Sequence, residues 1–174
     1  MSLTTSAHTR RLSLVAVAIA ALALVGCAPA TSEPVAPTAS DVWIKAQPEL
    51  MDGMAMTGLF GTFENPTDED ITILGGVADQ QWTDTKLDAH EVVKNDAGEM
   101  VMQEAKGGIV IPAHGSVTLK PGGYHVMFWD LKKPIAVGDT VKATIEFSNG
   151  TSIEVDAVAR EIANANEHYD DSAE

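Results

Sequence analysis

The feature that most constrains this chain is a two-residue alternation of apolar and polar side chains, carried in short segments that turn residues interrupt. Val141, Ala143, Ile145 and Phe147 alternate with Lys142, Thr144, Glu146 and Ser148; after Asn149-Gly150, Ile153, Val155 and Ala157 alternate with Ser152, Glu154 and Asp156. A period of two places each apolar set on one face of a strand. Asn-Gly between two such runs predicts a hairpin, because both residues tolerate the positive φ of a type I′ turn. Further strands are expected at 42–47, 57–64, 71–77, 86–93, 99–104, 116–119 and 124–130. Turns are expected at Asn65-Pro66-Thr67-Asp68, Asp96-Ala97-Gly98, Pro112-Ala113-His114-Gly115, Pro121-Gly122-Gly123 and Lys133-Pro134. No stretch of helical length keeps a 3.6-residue apolar period. The body, residues 41–160, is therefore predicted to be an all-β sandwich large enough to stand without disulfides.

The N-terminus follows another logic. Met1–Arg11 carries two arginines and no acid, and Leu12–Val25 is an apolar stretch of 14 residues interrupted only by Ser13. That is short for a membrane span and has the layout of an export signal. Its end, Leu24-Val25-Gly26-Cys27, resembles a bacterial lipobox, which implies lipidation of Cys27 after removal of residues 1–26. Thr9-Arg10-Arg11-Leu12-Ser13-Leu14 is also similar to a twin-arginine signal. Residues 28–40, rich in Pro, Ser, Thr and Ala, read as a flexible tether. Residues 161–174 read as an acidic tail. The expected location is extracytoplasmic, on the bacterial membrane through the lipid alone.

Charge and cysteine usage then exclude functions. The chain has 11 basic and 25 acidic side chains; Arg10 and Arg11 leave with the signal, so 9 basic residues face all 25 acids in the mature part. Such a body repels phosphate backbones, and nucleic acid is not an expected partner. With its one cysteine given to lipid, the domain has no thiol for a disulfide, a nucleophile or a thiolate metal site. No serine or cysteine nucleophile with a base, catalytic carboxylate pair or phosphate-cradling glycine loop is visible, so an enzyme is not expected.

What the body does carry is histidine and methionine at strand spacing. His125 and Met127 share a face, as do Met100 and Met102, and the turn containing Gly98 returns the chain so that these methionines come alongside His90. Two imidazoles with one or two thioethers form a neutral, soft donor set, suited to Cu(I) rather than to magnesium, calcium or zinc. Trp129, two residues beyond Met127, is expected on the same side, shielding the metal or packing on sulfur. Because metal transfer proceeds through shared ligands, an exposed and shallow site is expected. Met51, Met54 and Met56 form a second cluster, read as core filler or as a further thioether site for loading copper. His114 reads as a solvated turn residue, His168 as a solvated tail residue with Asp170 and Asp171 nearby, and His8 leaves with the signal.

These residues resemble the PCu(A)C family of extracytoplasmic copper chaperones associated with the CuA centre of cytochrome c oxidase. The resemblance runs from about Val42 to Val158. It is carried by His90, Gly98-Glu99-Met100-Val101-Met102, Ile111-Pro112-Ala113, Leu119-Lys120-Pro121-Gly122-Gly123-Tyr124-His125-Val126-Met127, Leu131-Lys132-Lys133-Pro134 and Gly138-Asp139. It implies a cupredoxin-like, Greek-key β-sandwich that binds Cu(I) through His90, Met102, His125 and Met127, with Met100 as the alternative to Met102. It also implies delivery of copper to the CuA-bearing oxidase subunit or its assembly factors. Two departures are Phe128-Trp129-Asp130, where the family often has another methionine, and His114 in place of a small turn residue. The competing readings are an envelope copper buffer without a dedicated recipient and a metal-free structural module.

Overall fold

The computed structural model describes residues 33–50 and 55–162. Among the described residues ten strands make up the secondary structure: β1 Thr38–Lys45, β2 Thr57–Glu64, β3 Ile71–Ala78, β4 Leu87–Lys94, β5 Met100–Glu104, β6 Ile109–Ile111, β7 Ser116–Leu119, β8 His125–Phe128, β9 Thr140–Phe147 and β10 Ser152–Arg160. Cys27, the export signal, the first residues of the tether, Met51, Met54 and His168 lie outside the described residues. Among the described residues no helix is long and apolar enough to cross a membrane.

Hydrogen bonding runs β5-β4-β8-β2-β1-β10-β9-β3-β6, with β7 on β2. A further pairing joins β3 to β4 through Gly75↔Asp88 and Gly76↔Leu87, so seven of these strands close on themselves. β5, β6 and β7 are attached outside this ring. β1 runs parallel to β10, and the other strand pairs are antiparallel.

Alternation decides what faces inward. Val141, Ala143, Ile145 and Phe147 of β9 are all buried in the main core, with Val155, Ala157 and Ala159 of β10, Leu59 and Phe63 of β2, Leu87 and Ala89 of β4, and Val126 and Phe128 of β8. The β9–β10 hairpin forms where expected, but its turn differs. Gly150 is at positive φ (80°) and Asn149 is not. Gly150 N donates to Phe147 O (3.0 Å) and Phe147 N to Thr151 O (3.0 Å). The Asn149 carboxamide oxygen accepts instead from Thr151 N (3.1 Å) and Oγ1 (2.7 Å). Its side chain thus holds a longer loop with only the glycine left-handed, in place of a type I′ turn.

Two other boundaries depart from the alternation. β1 begins at Thr38, so the last three residues of the stretch read as tether are paired with β2. A bulge between Ser40 and Trp43, with Asp41 at φ 50°, breaks its period and hides it from a pattern search. β6 has three residues between Gly107-Gly108 and Pro112, too few to show alternation.

Candidate metal centre

The residues expected to bind metal stand on β4, β5 and β8; those of β4 and β8 occupy the face that points away from the main core. In β8, Val126 and Phe128 enter the core, which sends His125 and Met127 to the opposite face. In β4, Leu87 and Ala89 enter the core and send Asp88 and His90 outward with them. Register does the rest: His90 is directly opposite His125, and Asp88 is opposite Met127. The two imidazole centroids are 5.9 Å apart at an interplanar angle of 40°.

The expected β4–β5 hairpin also forms. Gly98 N donates to Asn95 O (2.9 Å), and β5 returns along β4 with Glu104 opposite His90, Met102 opposite Val92 and Met100 opposite Lys94. Met102 is therefore one diagonal step from His90, roughly 7–8 Å between backbones. Met100 is two residues further along the strand. This register favours Met102 as the nearer thioether.

Although they face away from the main core, these side chains are not exposed. His90 is 8% exposed, His125 3% and Met127 1%; Met102 is half-buried and Met100 is 57% exposed. The expectation of an exposed, shallow site thus fails for three of the four expected donors. The cause is a second apolar layer that the alternation of β2 conceals. Leu59 and Phe63 enter the core, while Phe60 takes the outward parity and is buried there. Trp43 of β1 stacks on Phe60 (4.5 Å), Phe60 lies beside His125 (6.2 Å), and His90 meets Trp129 edge-on (5.5 Å, 61°). A row of rings thus crosses β1, β2, β8 and β4 and ends on Trp129. Gly58, paired with Met127, leaves the space that the tip of the Phe60 ring needs: a Cβ there would lie 2.9 Å from it.

Trp129 is held from several sides. Its indole Nε1–H donates to Asp88 Oδ2 (3.0 Å), and its carbonyl accepts from the Thr83 hydroxyl (2.7 Å). The next residue, Asp130, is at φ 48°, and its carboxylate accepts from the Thr85 hydroxyl (2.7 Å). Phe60, Trp43, Asp88 and the Thr83/Thr85 clasp were not singled out from the sequence. The one available signal was an aromatic residue, Phe60, on the outward parity of a strand.

Burial sets the chemistry of the imidazoles. Burial is the main cause that lowers the His90 pKa below 6.5; His125 beside it lowers it further, and Asp88 and Glu104 oppose this in part. His90 is thus neutral at pH 7, and its buried Nδ1 has no hydrogen-bond partner. A buried polar nitrogen without a partner is costly in an ordinary core. His125 Nδ1 is 3.0 Å from Gly123 O. A carbonyl can only accept, so Nδ1 is the donor in this contact. Among the described residues no three His, Cys, Asp or Glu side chains converge as a metal site. His114 is elsewhere, exposed in the β6–β7 turn and paired with Asp68 at 2.7 Å.

Comparison with known proteins places the chain. The model of the family described as "Putative lipoprotein LpqE-like" matches residues 38–159, the span from the start of β1 almost to the end of β10. The chain belongs to the LpqE-like family. A relative from Leifsonia xyli subsp. xyli (strain CTCB07), named "Putative lipoprotein Lxx21020", is 34% identical over 169 residues, which are 92% of this chain and 96% of the relative. Among solved structures, the LpqE-like fold is similar to the apo PCuAC domain from PmoF1 (TM-score 0.56, 22% identity, 72% of this chain and 94% of that one). It is also similar to the copper-bound PCuAC domain from PmoF2 (TM-score 0.54, 20% identity, 72% and 93%). The all-β fold expected from the alternation and the cupredoxin-like fold that the PCu(A)C resemblance implied both hold.

Proposed function

We propose that this LpqE-like protein is a lipid-anchored, extracytoplasmic carrier of Cu(I) that binds the ion through His90, Met102, His125 and Met127 and delivers it to the CuA centre of cytochrome c oxidase. The observation that carries the proposal is the cross-strand pair of buried imidazoles, with Met127 on the same face and Met102 one diagonal step away. A neutral donor set leaves only a single positive charge to desolvate, which suits a buried cuprous ion and disfavours a divalent one. One neighbour of the same fold is named as copper-bound, and the family and the Leifsonia relative carry lipoprotein names, which supports Cys27 as the anchor.

The proposal is tested by anaerobic Cu(I) competition against a coloured chelator, using the wild type and the variants His90→Ala, Met102→Leu, His125→Ala and Met127→Leu. One equivalent should bind to the wild type, and each substitution should weaken it at least tenfold. Affinity unchanged in the two histidine variants would leave a metal-free structural module. The burial of three donors favours one further reading, an envelope copper buffer that retains its cargo. Transfer to a purified CuA-bearing oxidase domain faster than release into solution supports the carrier; equal rates support the buffer.

A further inference from the structure

A site with three buried donors needs a route for its cargo, and the methionines of β5 form one. β5 is the end strand of the sheet path, so a partner can approach it from its open side. Met100 and Met102 share the face of His90 and are same-face neighbours, roughly 7 Å apart along the strand. Burial rises along this line, from Met100 at 57% exposed, through half-buried Met102, to His90 at 8% and His125 at 3%. A thioether that exposed contributes little to packing, and Met100 is too far along β5 to stand beside the imidazoles. What it offers is a flexible, neutral sulfur at the point where solvent meets the donor row.

We infer that Met100 is the exchange ligand of this site: its exposed thioether accepts Cu(I) from, and releases it to, soft donors on a partner, and passes it inward to Met102. The inference rests on the Cu(I) reading given above and adds the direction of access. Each exchange makes one bond from copper to the incoming donor and breaks one bond to the outgoing donor, so capture forms a copper–sulfur bond at Met100 and release breaks it. Copper stays cuprous throughout, and no electron or proton moves.

A residue that acts only in the exchange intermediate lowers the barrier in both directions and leaves the equilibrium alone. Anaerobic stopped-flow transfer of Cu(I) between the protein and bathocuproine disulfonate, with equilibrium competition alongside, separates the roles. Met100→Leu keeps the shape and folds as the wild type does, since the side chain is exposed on an end strand. Its Cu(I) affinity should stay within about twofold, while uptake and release both slow by about tenfold. Release should also lose the wild type's dependence on chelator concentration. Met102→Leu should instead lose affinity. Met100→Leu exchanging at wild-type rates, or losing as much affinity as Met102→Leu, would overturn the inference. A wild type that takes up no Cu(I) is a different result, because it removes the functional reading itself.

Discussion

Replacing Gly75 with alanine tests the joint that closes the strand ring. Gly75 is at φ 125°, which an L side chain rarely adopts, and a Cβ there would lie 2.0 Å from the Leu87 carbonyl oxygen and 3.0 Å from its carbon. The atoms in the way are backbone, so no side chain can yield. Reaching the 3.4 Å of an ordinary contact requires a movement of about 1.4 Å, which separates Gly75↔Asp88 and Gly76↔Leu87, the pairs that hold β3 to β4. Roughly two backbone hydrogen bonds at about 1 kcal/mol each are lost. Backbone strain adds about 1–3 kcal/mol. The lower entropy of the unfolded alanine chain returns about 0.4–1 kcal/mol. The net destabilisation is about 2–5 kcal/mol, a large part of the 5–15 kcal/mol typical of a domain. Gly98→Ala is the control: its φ is 85°, but nothing lies within 4 Å of the new Cβ, so only strain of about 1 kcal/mol remains. Urea unfolding followed by tryptophan fluorescence should place the Gly75→Ala midpoint at least about 1 M below that of Gly98→Ala. Equal midpoints would refute the reasoning, because they would mean the joint opens without cost. Asp88 is at this joint and holds Trp129 against His90, so Cu(I) affinity should fall in Gly75→Ala and not in Gly98→Ala.

Two more predictions concern the fold and the site. Asn65 is buried; its Nδ2 donates to Glu69 O (2.8 Å) and Ile111 O (3.1 Å), and its Oδ1 accepts from Thr67 N (3.0 Å) and Oγ1 (2.8 Å). Asn65→Ala strands these partners and should cost about 2–4 kcal/mol in urea unfolding, and Asn65→Asp should also destabilise because a carboxylate cannot donate to the two carbonyls. The lowered His90 pKa predicts the pH dependence of the apoprotein. Above pH 6.5 the residue is neutral in both states and stability is full; below it the unfolded chain takes the proton first, so stability falls with pH until the folded-state pKa is passed. His90→Gln should flatten this part of the profile of unfolding midpoint against pH. A wild type that gains stability on acidification from pH 6.5 would contradict the assignment.

Much of the fold was legible because alternation reports directly which parity of a strand is buried. The β9–β10 hairpin, β2 and the return of β5 along β4 all follow from period and turn chemistry. β6 was not legible because three residues carry no period, and the start of β1 was hidden because a bulge reverses its parity. Of the candidate centre, the shared faces of His125-x-Met127 and of Met100-x-Met102, and the return of the latter alongside His90, could be read from the sequence. Their burial could not. The rings beside the imidazoles come from other strands and loops: Phe60, backed by Trp43, lies beside His125, and Trp129 meets His90, which they do only because β1, β2, β8 and β4 are neighbours in a closed ring.

The local chain alone therefore determined the strand class, the hairpins and the chemical softness of the donor set, since each depends on residues a few positions apart. Tertiary structure decided that His90 stands opposite His125 across a gap of 34 intervening residues, that Met102 rather than Met100 is the nearer sulfur to His90 on β5, and that the two imidazoles are buried beside aromatic rings. Those properties arise from register between strands distant in sequence. Register is set by how the whole core closes and is invisible to any one segment.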